Sequence, residues 1–188
     1  MIDTHCHIDF EDFDDDREEV IKRARDKLDL IIASGFNRES NQNVLDISKE
    51  YEGFVYPTFG FHPVSSQNST DEELKDAQNH LIDNLDSIVA VGEVGMDYYY
   101  VTDKELRERQ QEIFRSFLDI ANKYEFPIVM HVRDCEKKAV NIIEDYDNIP
   151  YFIFHCYGVN YFCSIHSQIR KHCHLLLQSM RLYLHYHQ

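Results

Sequence analysis

The sequence predicts an α/β fold, an incomplete (β/α)8 TIM barrel of about six β/α units followed by an atypical tail. Three observations carry that prediction. Short, nearly uninterrupted apolar runs alternate with amphipathic segments, the chemically capable residues fall at or just past the C-terminal ends of those runs, and the composition changes abruptly after residue 158. Near-continuous hydrophobicity marks parallel strands covered on both faces, and strand–helix alternation points to a parallel sheet. An open doubly wound sheet fits the alternation too. It gathers its ligands at one switch point, however, whereas a barrel draws functional side chains from many strand ends.

Taken in order, the strands are expected at 1–4, 28–33, 54–58, 88–91, 127–130 and 151–154. Thr70-Asp71-Glu72-Glu73 has the spacing of a capping box, and Leu74, Ala77, Leu81 and Leu85 then recur at helical intervals. Thr102-Asp103-Lys104-Glu105 repeats that signature ahead of Leu106, Ile113, Phe117, Ile120 and Tyr124. Weaker helical patterns run over 14–26, 38–50 and 134–146.

A chain of 188 residues suits one domain able to bury most of its apolar surface. Its 43% apolar and 28% charged residues are ordinary for a soluble globular protein. No run approaches the roughly 18 apolar residues that span a membrane. The chain opens on Met1-Ile2-Asp3-Thr4-His5 without a basic, apolar leader, so a cytoplasmic protein is expected. Five cysteines with no CxxC pair match free thiols in a reducing compartment better than a disulfide framework or a zinc knuckle. The net charge of −15 argues against gripping a nucleic-acid duplex through a basic face. Bound divalent cations are one way to concentrate positive charge locally.

His5-Cys6-His7 places two imidazoles on one face of a strand, with Cys6 on the other. The pair could reach one metal ion, or be two polar positions at a strand end. Glu93, in Val91-Gly92-Glu93-Val94-Gly95, closes an apolar strand and needs a partner there: a Lys or Arg, or cations that it bridges. His131 and His155 end two consecutive strands in the same register, Ile-Val-Met-His and Phe-Ile-Phe-His. Either alone reads as a core histidine; together they read as ligands. A His-rich shell suits zinc, manganese or cobalt better than calcium.

Together with Gly60-Phe61-His62-Pro63, Gly92-Glu93-Val94-Gly95-Met96-Asp97-Tyr98, His131-x-Arg133 and His155-Cys156-Tyr157-Gly158, these motifs resemble the TatD family of metal-dependent deoxyribonucleases, within the amidohydrolase-like barrels. The resemblance covers residues 1–158. It implies two divalent ions (zinc, magnesium or manganese), one held by His5, His7 and Glu93 and the other by Glu93, His131 and His155, with Glu93 catalytic. It further implies substrate contacts from His62 and Arg133, and Asp97 and Tyr98 as residues flanking the site. The implied substrate is DNA, as a single strand or terminal nucleotides. Chemistry asks for the same residue types, since two adjacent cations lower the pKa of a shared water and clamp a phosphodiester.

The chain also departs from the family. A full barrel of this class needs about 250 residues, and the family's last ligand, an aspartate after the eighth strand in a Thr-Asp-x-Pro-like context, has no counterpart here. Residues 159–188 contain no Asp, Glu, Gly or Pro but five of the 11 histidines. This segment reads as out-of-frame translation, as an alternative helix in which Leu175, Leu176, Leu177, Met180, Leu182 and Leu184 cover exposed core, or as a metal-binding appendage through His172-x-His174 and His185-x-His187. The sequence therefore supports a metal-dependent phosphodiester hydrolase or, alternatively, a catalytically inactive truncated remnant, with a small-phosphoester hydrolase as a lesser third. Two uncovered sheet edges predict marginal stability or self-association. A sharp, reversible and concentration-independent thermal transition of a monomer would contradict this.

Overall fold

The computed structural model describes residues 1–156 in full and the backbone of 174–177. Seven parallel strands lie side by side in chain order: β1 (Ile2–Cys6), β2 (Leu30–Ser34), β3 (Val55–Phe59), β4 (Ala90–Asp97), β5 (Ile128–Arg133), β6 (Tyr151–His155) and β7 (His174–Leu177). The helices are α1 (Arg17–Arg25), α2 (Arg38–Glu50), the single-turn α3 (Pro63–Ser66), α4 (Asp71–Asp83), α5 (Lys104–Tyr124) and α6 (Glu136–Ile143).

The sheet is strongly curled. Strands β1 and β6 are five pairings apart, so a flat sheet would separate them by roughly 24 Å. Yet the rings of His5, on β1, and His155, on β6, stack with centroids 3.9 Å apart. Sequential parallel order with such closure is the arc of a (β/α)8 barrel.

Local chemistry sets the helix starts. Asn37 caps α2 by accepting from Ser40 N, and Thr70 and Glu73 form the expected capping box on α4. Helix α5 starts one residue later than the Thr102 signature implies. Asp103 is its N-cap and accepts from Leu106 N, because a carboxylate one residue on satisfies the same orphan amides. Ile113, Phe114, Phe117, Leu118 and Ala121 of α5 are buried, and the helix packs on β4.

Two further differences concern the strands. Strand β4 runs to Asp97, so Glu93 lies inside it rather than at its end, beside a register irregularity between Val91 and Val94 in the pairing with β5. The alternative helix, one of three readings of the tail, is corrected for Leu175, Leu176 and Leu177, while Met180, Leu182 and Leu184 lie outside the described residues. Residues 174–177 extend the sheet as β7, parallel to β6, with Tyr151 opposite His174 and Phe154 opposite Leu177. A run of Leu175-Leu176-Leu177 supplies the continuous apolar strand that a two-sided parallel sheet takes. His174 thus starts β7, opposite Tyr151 at the end of β6 remote from His155. The other expectations for 159–188 lie outside the described residues.

Replacing Phe117, which is wholly buried, by alanine should cost about 3–5 kcal/mol of stability in urea unfolding. Replacing the exposed Lys104 of the Lys104–Glu108 pair should leave the midpoint unchanged.

Candidate metal centre

Glu93 is 1% exposed and sits where the C-terminal ends of the curled strands converge. Its two oxygens face different partners. Oε2 lies 3.3 Å from both His5 Nε2 and His7 Nε2. Oε1 lies 2.8 Å from His131 Nδ1, 3.8 Å from His62 Nε2 and 3.9 Å from His155 Nε2. The donors of His5, His7 and Glu93 fall within 4.8 Å of one another, and so do those of His62, Glu93 and His131. A buried carboxylate with imidazoles on each oxygen is the donor set of a bridged pair of divalent ions, so the residues present fit such a group.

Three of the imidazoles are oriented from behind. His7 Nδ1 donates to the Ser34 carbonyl at 2.8 Å, and Ser34 Oγ lies 3.1 Å from His5 Nδ1. Thr58 Oγ1 donates to Ser34 Oγ at 3.2 Å, so one serine at the end of β2 turns both Nε2 atoms toward Glu93. His131 Nε2 donates to Asp97 Oδ2 at 2.9 Å, which directs Nδ1 at Glu93. Asp97 is itself fixed: its Oδ1 accepts from Tyr99 N and Tyr100 N, and its own N–H donates to Gln110 Oε1. Gln110, wholly buried on α5, in turn donates to the Pro63 carbonyl.

His62 differs from the others. Its Nδ1 accepts from Val64 N at 3.2 Å, so Nε2 carries the proton and points at His131 and Glu93. Burial pushes its pKa down to about 4, which keeps it a neutral donor. Close backbone approach builds this corner: Gly60 packs against the Glu93 backbone where no Cβ would fit, and Asn41 fixes Gly60 by donating to its carbonyl and accepting from its N–H. Gly95, at φ +144°, likewise leaves no room for a Cβ against the His131 carbonyl.

Electrostatics follow from the crowding. Burial acts to raise the Glu93 pKa, but hydrogen bonds from His131, His5 and His7 hold it well below the usual carboxylate value. Burial likewise opposes the charged form of His131, yet hydrogen bonds to Asp97, Cys156 and Glu93 bring it up to about 11. His7 is also raised, its burial outweighed by Glu93 and Ser34. His155 is pushed down to about 4 by burial and the neighbouring His5.

The family model described as TatD related DNase matches residues 2–162. The chain belongs to this family. It is 35% identical over 149 residues to the uncharacterized metal-dependent hydrolase YabD of Bacillus subtilis, covering 77% of this chain and 55% of that one. It is 26% identical over 162 residues to a Pectobacterium carotovorum protein named 3'-5' ssDNA/RNA exonuclease TatD, covering 85% and 61%. The crystal structure of YjjV, a TatD homolog from Escherichia coli, superposes with a TM-score of 0.80 at 28% identity, over 93% of this chain and 66% of that one. The chain thus spans between about half and two thirds of the length of these TatD relatives.

Of the residues singled out by the TatD resemblance, His5, His7, Glu93, His131, His155 and His62 come together, and Asp97 stands directly behind His131. Arg133 lies at the rim, its guanidinium 4.0 Å from the Tyr99 ring centroid and 4.8 Å from that of Tyr100. Tyr98 turns aside: its hydroxyl meets Met96 Sδ and its ring lies under Arg107. Ser34, Thr58 and Gln110 were not anticipated. Ser34 alone left a signal, as the polar residue ending Leu30-Ile31-Ile32-Ala33 in the register of the histidines.

Metal binding should strengthen from about pH 6 to about 8, because the protons held on His7 and His131 must leave. Calorimetry in buffers of different ionisation enthalpy should register that proton release, and pH-independent affinity would contradict it. Asp97→Asn should weaken binding by about 10–100-fold while the circular dichroism spectrum stays unchanged.

Proposed function

We propose that the chain is a phosphodiester hydrolase that works with two divalent ions and acts on DNA presented as a single strand or a terminal nucleotide. The observation that carries this reading is the split of Glu93, whose Oε2 faces His5 and His7 while Oε1 faces His131, His62 and His155. When bound, such a pair supplies Lewis acidity and a water of lowered pKa. His5, His7 and Glu93 would hold one ion, and Glu93, His131 and His155 the other. His62, protonated on Nε2, donates to a phosphate oxygen seated at the centre. Arg133 offers its charge to the flanking phosphate.

The rim supports a nucleic-acid end rather than a duplex. Phe10 is 39% exposed and stacks on His7 with centroids 5.0 Å apart, while Tyr99 and Tyr100 are 55% and 65% exposed around Arg133. Aromatic faces take unpaired bases, and each stacked base contributes about 1–3 kcal/mol. With a net charge of −15, affinity comes from the centre and from stacking more than from a basic surface. The relative named as an ssDNA/RNA exonuclease has the same tendency in its name. Among the described residues no helix is long and apolar enough to cross a membrane, and Cys6, Cys135 and Cys156 are free thiols; both are compatible with work in the cytoplasm. Self-association through the sheet edges completes the reading and is measurable by sedimentation velocity.

With zinc, manganese or magnesium added, the chain should shorten a 5'-labelled single strand, and Glu93→Ala should reduce this to background. Activity that survives in Glu93→Ala would overturn the reading, and metal binding without turnover would identify an inactive remnant. The logarithm of affinity for a single strand should fall with the logarithm of salt with a slope of only about −0.7 to −1.4, corresponding to one or two phosphate contacts.

A further inference from the structure

We propose that Cys156 gives a thiolate to the half of the centre built by His131 and His155, making it a nitrogen–sulfur site that selects zinc over magnesium or manganese. The inference rests on the two-ion reading above and assigns a ligand that the motif pattern does not.

The donor atoms of His131, His155 and Cys156 lie within 4.8 Å of one another, the same proximity that groups His5, His7 and Glu93. The other two described cysteines are placed differently. Cys6 Sγ donates to the Ile32 carbonyl at 3.4 Å, and Cys135 Sγ donates to the Met96 carbonyl at 3.2 Å. Burial drives both of those thiols away from ionisation, Cys135 up to about 12. Cys156 alone of the three joins two imidazoles.

The backbone explains how it gets there. Neighbouring residues of a strand point to opposite faces, so His155 and the residue after it should not share a ligand. Strand β6 ends at His155, and Cys156 takes φ +56°, a left-handed conformation that residues other than glycine rarely adopt. That turn breaks the alternation and brings consecutive side chains to one place. Strained backbone of this kind is retained where a site over-determines it.

Ligand chemistry then fixes the class of ion. The set offers two nitrogens and one sulfur, three of the four donors that a tetrahedral zinc takes. Thiolate is a soft ligand that magnesium and manganese do not seek. On binding, the thiol proton passes to solvent as the sulfur–metal bond forms.

The test uses the full chain, stripped with chelator and titrated with Co2+ as a spectroscopic substitute for zinc. A near-ultraviolet thiolate-to-cobalt charge-transfer band should grow in. Cys156→Ser should abolish it, whereas Cys163→Ser and Cys173→Ser should retain it. The unmodified chain provides a second readout that does not depend on folding of a variant: zinc should slow alkylation of Cys156 by at least about tenfold, read by peptide mass spectrometry. A band that persists in Cys156→Ser, cobalt bound without any band, or equal alkylation with and without zinc would each overturn the proposal. Cobalt bound without the band would leave the two-ion reading standing; no metal bound at all would remove both.

Discussion

A carboxylate sealed from water must be met by cations or by hydrogen-bond donors, and Glu93 imposes that condition on the whole sheet. Donors reach it from β1, from the turn after β3, from β5 and from β6. Those strands can converge on one side chain only if the sheet curls, so curvature and site are two expressions of one arrangement. The stacked rings of His5 and His155 are the visible closure. Behind them, Ser34 and Asp97 hold the imidazoles at fixed tilt, and Gln110 ties Asp97 to the Pro63 corner. The centre is therefore supported by residues that offer no donor to Glu93 themselves.

Much of this was legible in the sequence, because strands declare themselves through periodicity and the converging histidines through residue type and register. His131 and His155 occupy matching registers, and the structure pairs them directly across β5 and β6. The Thr70–Glu73 capping box reads correctly because its two hydrogen bonds are local. Thr102 misleads because Asp103 competes for the same amides, a choice that spacing alone does not resolve. Glu93 reads as a strand end because the apolar run stops there, yet β4 continues through Gly95 to Asp97. Gln110 was invisible: on an amphipathic helix an isolated glutamine looks like surface, and only tertiary packing turns it inward. The leucine run of the tail illustrates the ambiguity of short apolar segments, which suit a buried strand as well as a helix.

The charge of the chain and the charge of the site pull in opposite directions. A surplus of acids repels phosphate, while the centre gathers five imidazoles around one buried carboxylate. Contact with a polyanion, as proposed above, would be confined to one small area, bordered by Phe10 on His7 and by Arg133 between two tyrosines. Such a surface disfavours broad adhesion and leaves discrimination to local fit.

Gly60 and Gly95 carry no functional group, yet each marks a place where the backbone presses on the neighbouring strand at Glu93 or His131. A single methyl at either position would push against the backbone of Glu93 or of His131. The positions least tolerant of change in this centre therefore include two that can bind nothing. In a comprehensive substitution map they would be indistinguishable from ligands by their sensitivity alone. Only a measurement that separates loss of metal from loss of backbone shape would tell the scaffold from the chemistry.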